Sequence, residues 1–139
     1  MKYRKATMKD AKGAGNVLFK CYNIKNLKEG IKAFNDEFQK KHYYVVAVEN
    51  GKVAGIASWI MHGLPKHGLC ELDRIAVLSE YRGQGVAKRL FDALINDAKR
   101  FYKKNKSKLR KIYILTHASN KRAQAFYKKL GTKHETTLK

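Results

Sequence analysis

The segment Glu80-Tyr81-Arg82-Gly83-Gln84-Gly85-Val86-Ala87-Lys88-Arg89-Leu90 constrains this chain more than any other. The residues just before it, LDRIAVL, read as a strand, and after it Ala87, Phe91, Leu94, Ala98 and Phe101 recur at helical spacing. Two glycines one residue apart at a strand-to-helix junction supply the left-handed backbone of a tight turn. They also leave successive N–H groups unpaired at the start of a helix, where an anion can approach closely. Arg82, Lys88 and Arg89 add positive charge around them. A nest running from Gly83 to Lys88 into the helix suits a pyrophosphate, whose oxygens lie on two adjacent phosphorus centres. A bare tight turn is the plainer alternative. Two familiar phosphate loops are excluded by spacing. A dinucleotide G-x-G-x-x-G starting at Gly83 requires glycine where Lys88 stands, and a Walker loop requires four residues between its glycines, then Gly-Lys-Ser/Thr.

The rest of the chain supplies elements of matching kind. Residues 2–7 alternate as a first strand; residues 8–22, with Asp10 near the start, carry a weak stripe of Ala14, Val17, Leu18 and Cys21. A clearer helical stripe follows in Leu27, Ile31, Phe34 and Phe38. Residues 43–61 are two β-rich runs joined by Asn50-Gly51, a strong hairpin signal. Residues 69–78 form a fourth strand, and residues 110–118 a fifth whose composition predicts burial on both faces. A short helix begins at Ser119 or Asn120 and ends at Gly131, and the tail from 132 is a last weak strand. No linker or repeat interrupts this order. Residues 1–139 are thus expected to form one α/β domain, a mixed central sheet of about six strands with flanking helices.

Composition narrows the classes further. The formal charge of +20 attracts anions of every kind, and it is densest in KRFYKKNKSKLRK, residues 99–111. A solvated helix end accounts for that run, and no groove-reading or base-stacking signature points to a specific nucleic-acid site. No apolar run reaches the roughly 20 residues of a membrane span, and the N-terminus shows no secretory signal. Cys21 and Cys70 stand without CxxC or Cys/His spacing, so neither a disulfide framework nor a metal site is expected. A reducing, cytoplasmic setting follows.

Two motifs, in order and on the right elements, carry a resemblance. Arg82-Gly83-Gln84-Gly85-Val86-Ala87 matches Q/R-x-x-G-x-G/A, and Asn120, Ala123, Phe126, Tyr127, Leu130 and Gly131 match N-x-x-A-x-x-F-Y-x-x-L-G. The chain resembles the GNAT superfamily of acyl-CoA-dependent N-acetyltransferases over nearly its whole length. The resemblance implies a fourth and fifth strand that splay apart around acetyl-CoA as cosubstrate. It implies that Ile75, Ala76 and Val77 offer backbone groups to the pantetheine arm. Gly83, Gln84, Gly85, Val86, Ala87 and Lys88 would hold the pyrophosphate, and Asn120 and Tyr127 would meet the cofactor from the last helix. Thr132 replaces the usual aromatic after the second motif, and one weak strand ends the chain where members commonly have two. A homodimer partner would complete that edge, or the edge simply stays short. Leu115 stands where members that acetylate protein N-termini often carry a carboxylate, which points away from that acceptor.

The implied reaction moves an acetyl group directly to a primary amine of a small molecule or protein. A lysine-like amine, with a pKa of about 10.4, must lose a proton before it attacks, and a carboxylate can accept it directly or through water. Alternation places Glu71, Asp73, Ile75 and Val77 on one face of the fourth strand. Glu71 stands where histone-type members carry their base and is preferred, with Asp73 as the alternative. The Val77 N–H is the implied donor to the oxyanion, and Tyr127 the implied acid for the departing thiolate. Cys70 is turned to the opposite face, which argues against an acyl-cysteine route. Residues 23–42, with Glu29, Asp36 and Glu37, are expected beside the acceptor. The competing class is a non-catalytic basic module on the same fold that binds CoA, nucleic acid or ribosomes.

Overall fold

The computed structural model describes residues 1–115 and 121–129, apart from the side chains of 121–124. The tail from 132, and with it the expected last strand, lies outside the described residues, as do His117, Asn120 and Gly131. Five strands, β1 (Lys2–Lys5), β2 (Tyr43–Glu49), β3 (Lys52–His62), β4 (Leu69–Val77) and β5 (Lys111–Ile114), form one sheet in chain order. The first four are antiparallel neighbours, whereas β5 lies parallel to β4. That single parallel step requires a long crossover, and the helix after the glycine loop, α3 (Val86–Lys104), makes it. The β2–β3 hairpin turns on Asn50 and Gly51, whose φ angles of 49° and 77° are both positive, as a tight two-residue turn demands.

Alternation along the strands divides the core into two layers. On one face Val45, Ala47, Ala57, Trp59, Cys70 and Leu72 pack under Leu90, Leu94, Ala98 and Tyr102 of α3. On the other face Tyr44, Val46 and Ile56 pack under α1 (Ala11–Cys21) and α2 (Leu27–Gln39) through Ala14, Val17, Leu18 and Phe34. Fully burying a side chain such as Leu90 or Leu94 stabilises by about 1.5–3 kcal/mol, so α3 is held firmly along its length. Two polar ties fix its position. The Trp59 indole N–H donates to buried Asp97 at 3.0 Å, and the Tyr102 hydroxyl donates to the Leu69 carbonyl at 2.6 Å. On the other face, α1 and α2 approach at Gly15 and Gly30. A Cβ on Gly30 would fall on the Gly15 carbonyl oxygen, so only glycine permits the contact.

The composition of β5 misled in one respect. Ile112, Tyr113 and Ile114 are half-buried rather than enclosed on both faces, because β5 borders the sheet among the described residues. The last helix, α4 (Lys121–Lys129), follows with Phe126 and Tyr127 half-buried, and Tyr127 packs against the α3-side core.

Candidate active site

Beyond β4 the chain makes a short 3-10 turn at Ser79–Tyr81, then the glycine loop, then α3. Gly83 and Gly85 have φ of 76° and 77°, the left-handed region that side chains resist. A Cβ added at either glycine meets nothing within 4 Å, so the requirement is backbone hand, with open space above the loop. Gly85 occupies the N-cap position of α3 and offers no side chain to cap it. Its carbonyl accepts from the Arg89 N–H at 3.2 Å, which leaves the N–H groups of Val86, Ala87 and Lys88 without intrahelical acceptors. The basic neighbours are less available than their sequence positions imply. Arg82 turns back and donates from Nε to the Val77 carbonyl at 3.0 Å, bracing the loop against the strand end. Lys88 pairs with Asp92 at 3.3 Å across the exposed helix surface, a contact weak enough to exchange for another anion.

Among the described residues, the edge of β4 is open where the loop begins. Pairing with β5 covers only Leu69 to Leu72, although β4 continues to Val77. The Leu78 N–H donates to the Ala54 carbonyl, and antiparallel bonds alternate, so Ala76 directs its backbone groups to β3. Ile75 and Val77 therefore turn their N–H and carbonyl groups toward the open side, while Ala76 does not. The carbonyls have found donors there: the Tyr22 hydroxyl at 3.4 Å on Ile75, and the Cys21 thiol at 3.6 Å on Val77. Tyr127 packs against the α3-side core, within electrostatic reach of Tyr22. Burial, with a smaller push from Tyr22, raises the Tyr127 phenol to about 12, so it remains protonated throughout the neutral range.

The carboxylates occupy a bulged stretch of β4. Ser58 pairs with Arg74 but Trp59 pairs with Leu72, leaving Asp73 as an extra residue. The bulge reverses the facing downstream. Ile75 and Val77 join Cys70 and Leu72 on the α3 side, whereas Glu71, Arg74 and Ala76 share the other face. The expectation that Glu71, Asp73, Ile75 and Val77 line one face is therefore corrected, since simple alternation does not survive an inserted residue. Glu71 meets His62 with 2.7 Å between Oε1 and Nε2, and the His62 ring stacks on Tyr113 at 5.4 Å. Asp73 meets His42 at 3.0 Å.

Arg74 does not pair with Asp73 but forks onto Glu37 at 3.0 and 2.9 Å, with its guanidinium over the Tyr22 ring at 4.6 Å. Burial pushes the Glu37 carboxyl up, but hydrogen bonds from Arg74 and Tyr44 outweigh it and hold it below the usual range. Glu37, His42 and Asp73 bring ligand-type atoms within 4.8 Å of one another, with the Arg74 fork occupying Glu37. Cys70 is buried in the opposite layer, and that burial raises its thiol to about 12. Among the predicted residues, the structure gathers Ile75, Val77 and the loop from Gly83 to Lys88 around one opening. Tyr127 packs on the α3-side core, to which Ile75 and Val77 also belong, and Asn120 lies outside the described residues. Tyr22, Arg74, His62 and Tyr113 were missed. Each is an ordinary strand, helix-end or turn residue in the sequence, and only the register of the sheet brings it here.

Comparison with solved structures finds the same fold. Escherichia coli ribosomal-protein-S18-alanine N-acetyltransferase matches at 21% identity and a TM-score of 0.76, covering 97% of this chain and 79% of that one. The aminoglycoside antibiotic 6'-N-acetyltransferase of Acinetobacter haemolyticus matches at 16% identity and a TM-score of 0.76, covering 100% of this chain and 95% of that one. Glucosamine-6-phosphate N-acetyltransferase of Arabidopsis thaliana matches at 20% identity and a TM-score of 0.70, covering 97% and 92%. No curated protein matches the sequence. Residues 14–132 match the model of the Acetyltransferase (GNAT) family, a span that takes in both layers of the core, the glycine loop and α4, and the chain belongs to that family.

Proposed function

We propose that the protein transfers the acetyl group of acetyl-CoA to a primary amine. The observation that carries this reading is the edge of β4 at Ile75 and Val77, open among the described residues and continuous with a left-handed glycine loop, with a half-buried, protonated tyrosine packed on the same core layer. The unpaired N–H groups from Gly83 to Lys88 bind the pyrophosphate, and open space above both glycines allows close approach. The pantetheine arm would lie along β4 against the groups of Ile75 and Val77. The thioester carbonyl accepts from the Val77 N–H.

Glu71 takes a proton from the incoming ammonium, directly or through water, with His62 fixing the carboxylate. The neutral amine attacks the thioester carbon, charge forming on oxygen is met by the Val77 N–H, and the attacking nitrogen releases its second proton to solvent as the amide forms. As the C–S bond breaks, Tyr127 donates a hydrogen bond to sulfur. A phenol near 12 facing a thiol of about 8.5 does not give up its proton completely, since each unit costs about 1.4 kcal/mol. Tyr127 therefore stabilises the leaving thiolate while it forms, and solvent supplies the final proton. The three solved relatives carry names with different acceptors: a ribosomal-protein alanine, an aminoglycoside and glucosamine 6-phosphate. The acceptor is accordingly assigned here only as an amine.

The test couples binding to turnover. Acetyl-CoA at a hundredfold excess over its dissociation constant should stabilise the protein by about 2.7 kcal/mol, and amine-dependent thiol release should follow with a panel of amines. Gly85→Val should abolish the stabilisation, because valine resists the left-handed backbone at this position. A melting temperature unmoved by millimolar acetyl-CoA, with no thiol release for any amine, overturns the proposal.

A further inference from the structure

The end of α1 sets two side chains of very different size against the β4 edge. The Cys21 thiol donates to the Val77 carbonyl at 3.6 Å, and the Tyr22 hydroxyl donates to the Ile75 carbonyl at 3.4 Å. The loop from Gly83 to Lys88 follows the C-terminal end of β4, so a cofactor whose pyrophosphate rests there passes Val77 before it reaches Ile75. The small thiol therefore stands on the side of the pantetheine arm, and the phenol ring stands on the side of the acyl end. Building on the reading of β4 as the cofactor edge, we propose that Tyr22 limits the length of the acyl group, admitting acetyl and rejecting chains two or more carbons longer.

The ring is braced from several directions. Its main chain closes α1, with the Tyr22 N–H donating to the Leu18 carbonyl at 3.0 Å. The Arg74 guanidinium covers the ring, 4.6 Å from its centroid. Arg74 is itself held by the fork onto Glu37 at 3.0 and 2.9 Å, and Glu37 also accepts from the Tyr44 hydroxyl at 2.6 Å. Burial raises the Tyr22 phenol above its usual range, so it stays neutral and offers an acyl chain no charge to avoid. A ring held at its main chain, its hydroxyl and one face discriminates by size, because packed side chains do not move aside without loss of contacts. Nor does the space behind it suit a longer chain. There the Arg74–Glu37 pair is mostly shielded from water, and an alkyl chain that displaced the ring would set hydrocarbon against two charges.

The experiment titrates the full chain with CoA, acetyl-CoA and butyryl-CoA by calorimetry, and compares amine-dependent thiol release from the two thioesters. Butyryl-CoA should bind the wild type at least about tenfold more weakly than acetyl-CoA, because one methylene in a fitted pocket is discriminated by about 10–200-fold. Thiol release should fall in the same order. Tyr22→Leu and Tyr22→Ala should each shrink the acetyl-to-butyryl ratio by about tenfold, mainly through a gain on butyryl-CoA, whereas Tyr22→Phe keeps the ring and should keep the ratio. A tyrosine that merely caps the strand edge would lower the melting temperature when truncated and leave the ratio unmoved. Equal affinity of the wild type for both thioesters, an unchanged ratio in the folded smaller variants, or a Tyr22→Phe protein that no longer discriminates overturns the proposal. Binding of CoA itself separates the two levels. A protein that binds CoA but ignores acyl length loses this limit alone, and one that binds no CoA species loses the reading of β4 with it.

Discussion

Glu71 and Asp73 stand two residues apart, and each carries its carboxylate against a histidine, His62 at 2.7 Å and His42 at 3.0 Å. Their surroundings differ more than their partners do. Asp73 is the exposed residue of the bulge, whereas Glu71 is half-buried in regular pairing with Ile60 and Tyr113. A base held in fixed geometry contributes about 10²–10⁴-fold, so Glu71→Gln should lower kcat/KM by that range with acetyl-CoA affinity unchanged. Asp73→Asn should stay near wild type; a crippled Asp73→Asn beside an active Glu71→Gln would transfer the role. Tyr127 calls for a different expectation. With its pKa raised from 10 to about 12, the phenol keeps its proton well beyond the assay range, so no alkaline loss below about pH 10 belongs to it. Tyr127→Phe retains the ring and removes the donor, and kcat should fall about tenfold, about 1.4 kcal/mol of barrier, with little change in acetyl-CoA affinity. Equal rates for both forms across the pH range would return Tyr127 to a packing role. The two motifs made the loop and Tyr127 readable from the sequence, because their residue types are dictated locally. His62 and Arg74 were not readable, because their meaning depends on which strand residue lies opposite.

Element placement follows the same division between local and non-local causes. The helices announced themselves by apolar spacing and the β2–β3 hairpin by Asn50-Gly51, since period and turn chemistry are properties of a few adjacent residues. The bulge at Asp73 left a fainter mark. Asp73 and Arg74 set two polar residues side by side and shift the apolar phase from Cys70 and Leu72 to Ile75 and Val77, but the shift reads as an inserted residue only once β3 lies alongside. It also falls where pairing with β5 ends, so one irregularity both opens the strand edge and separates the facing of Glu71 from that of Ile75 and Val77. The α1–α2 contact was equally hidden, because Gly15 and Gly30 look like weak points in helices until the two are placed together. A Cβ at Gly30 gains about 1 kcal/mol of helix propensity but meets the Gly15 carbonyl, and overpacking costs about 1–3 kcal/mol. Gly30→Ala should therefore destabilise by about 1 kcal/mol, read as a lower urea midpoint at unchanged slope. An unchanged or higher midpoint would mean the helices separate at no cost.

Across the whole molecule, 31 basic residues face 11 acidic ones, so at most a minority of the positive charges can find partners. The pairs that form on the surface, such as Lys32–Asp36 and Lys52–Glu80, lie between exposed side chains and each contribute little. Repulsion among the remaining charges acts over the Debye length, about 30 Å at 0.01 M salt and about 8 Å at 0.15 M. A chain of this length has a radius of gyration of about 14 Å, so at low salt nearly every charge opposes every other. At physiological salt only near neighbours do. Screening weakens the few attractive pairs as well, but the net charge of +20 makes repulsion the larger sum. The melting temperature of the free protein should consequently rise between 0.01 and 0.15 M sodium chloride. Phosphate at equal ionic strength should raise it further, because a bound anion stabilises by mass action in addition to screening. A melting temperature that falls with sodium chloride would show that the local ion pairs outweigh the field of the molecule as a whole.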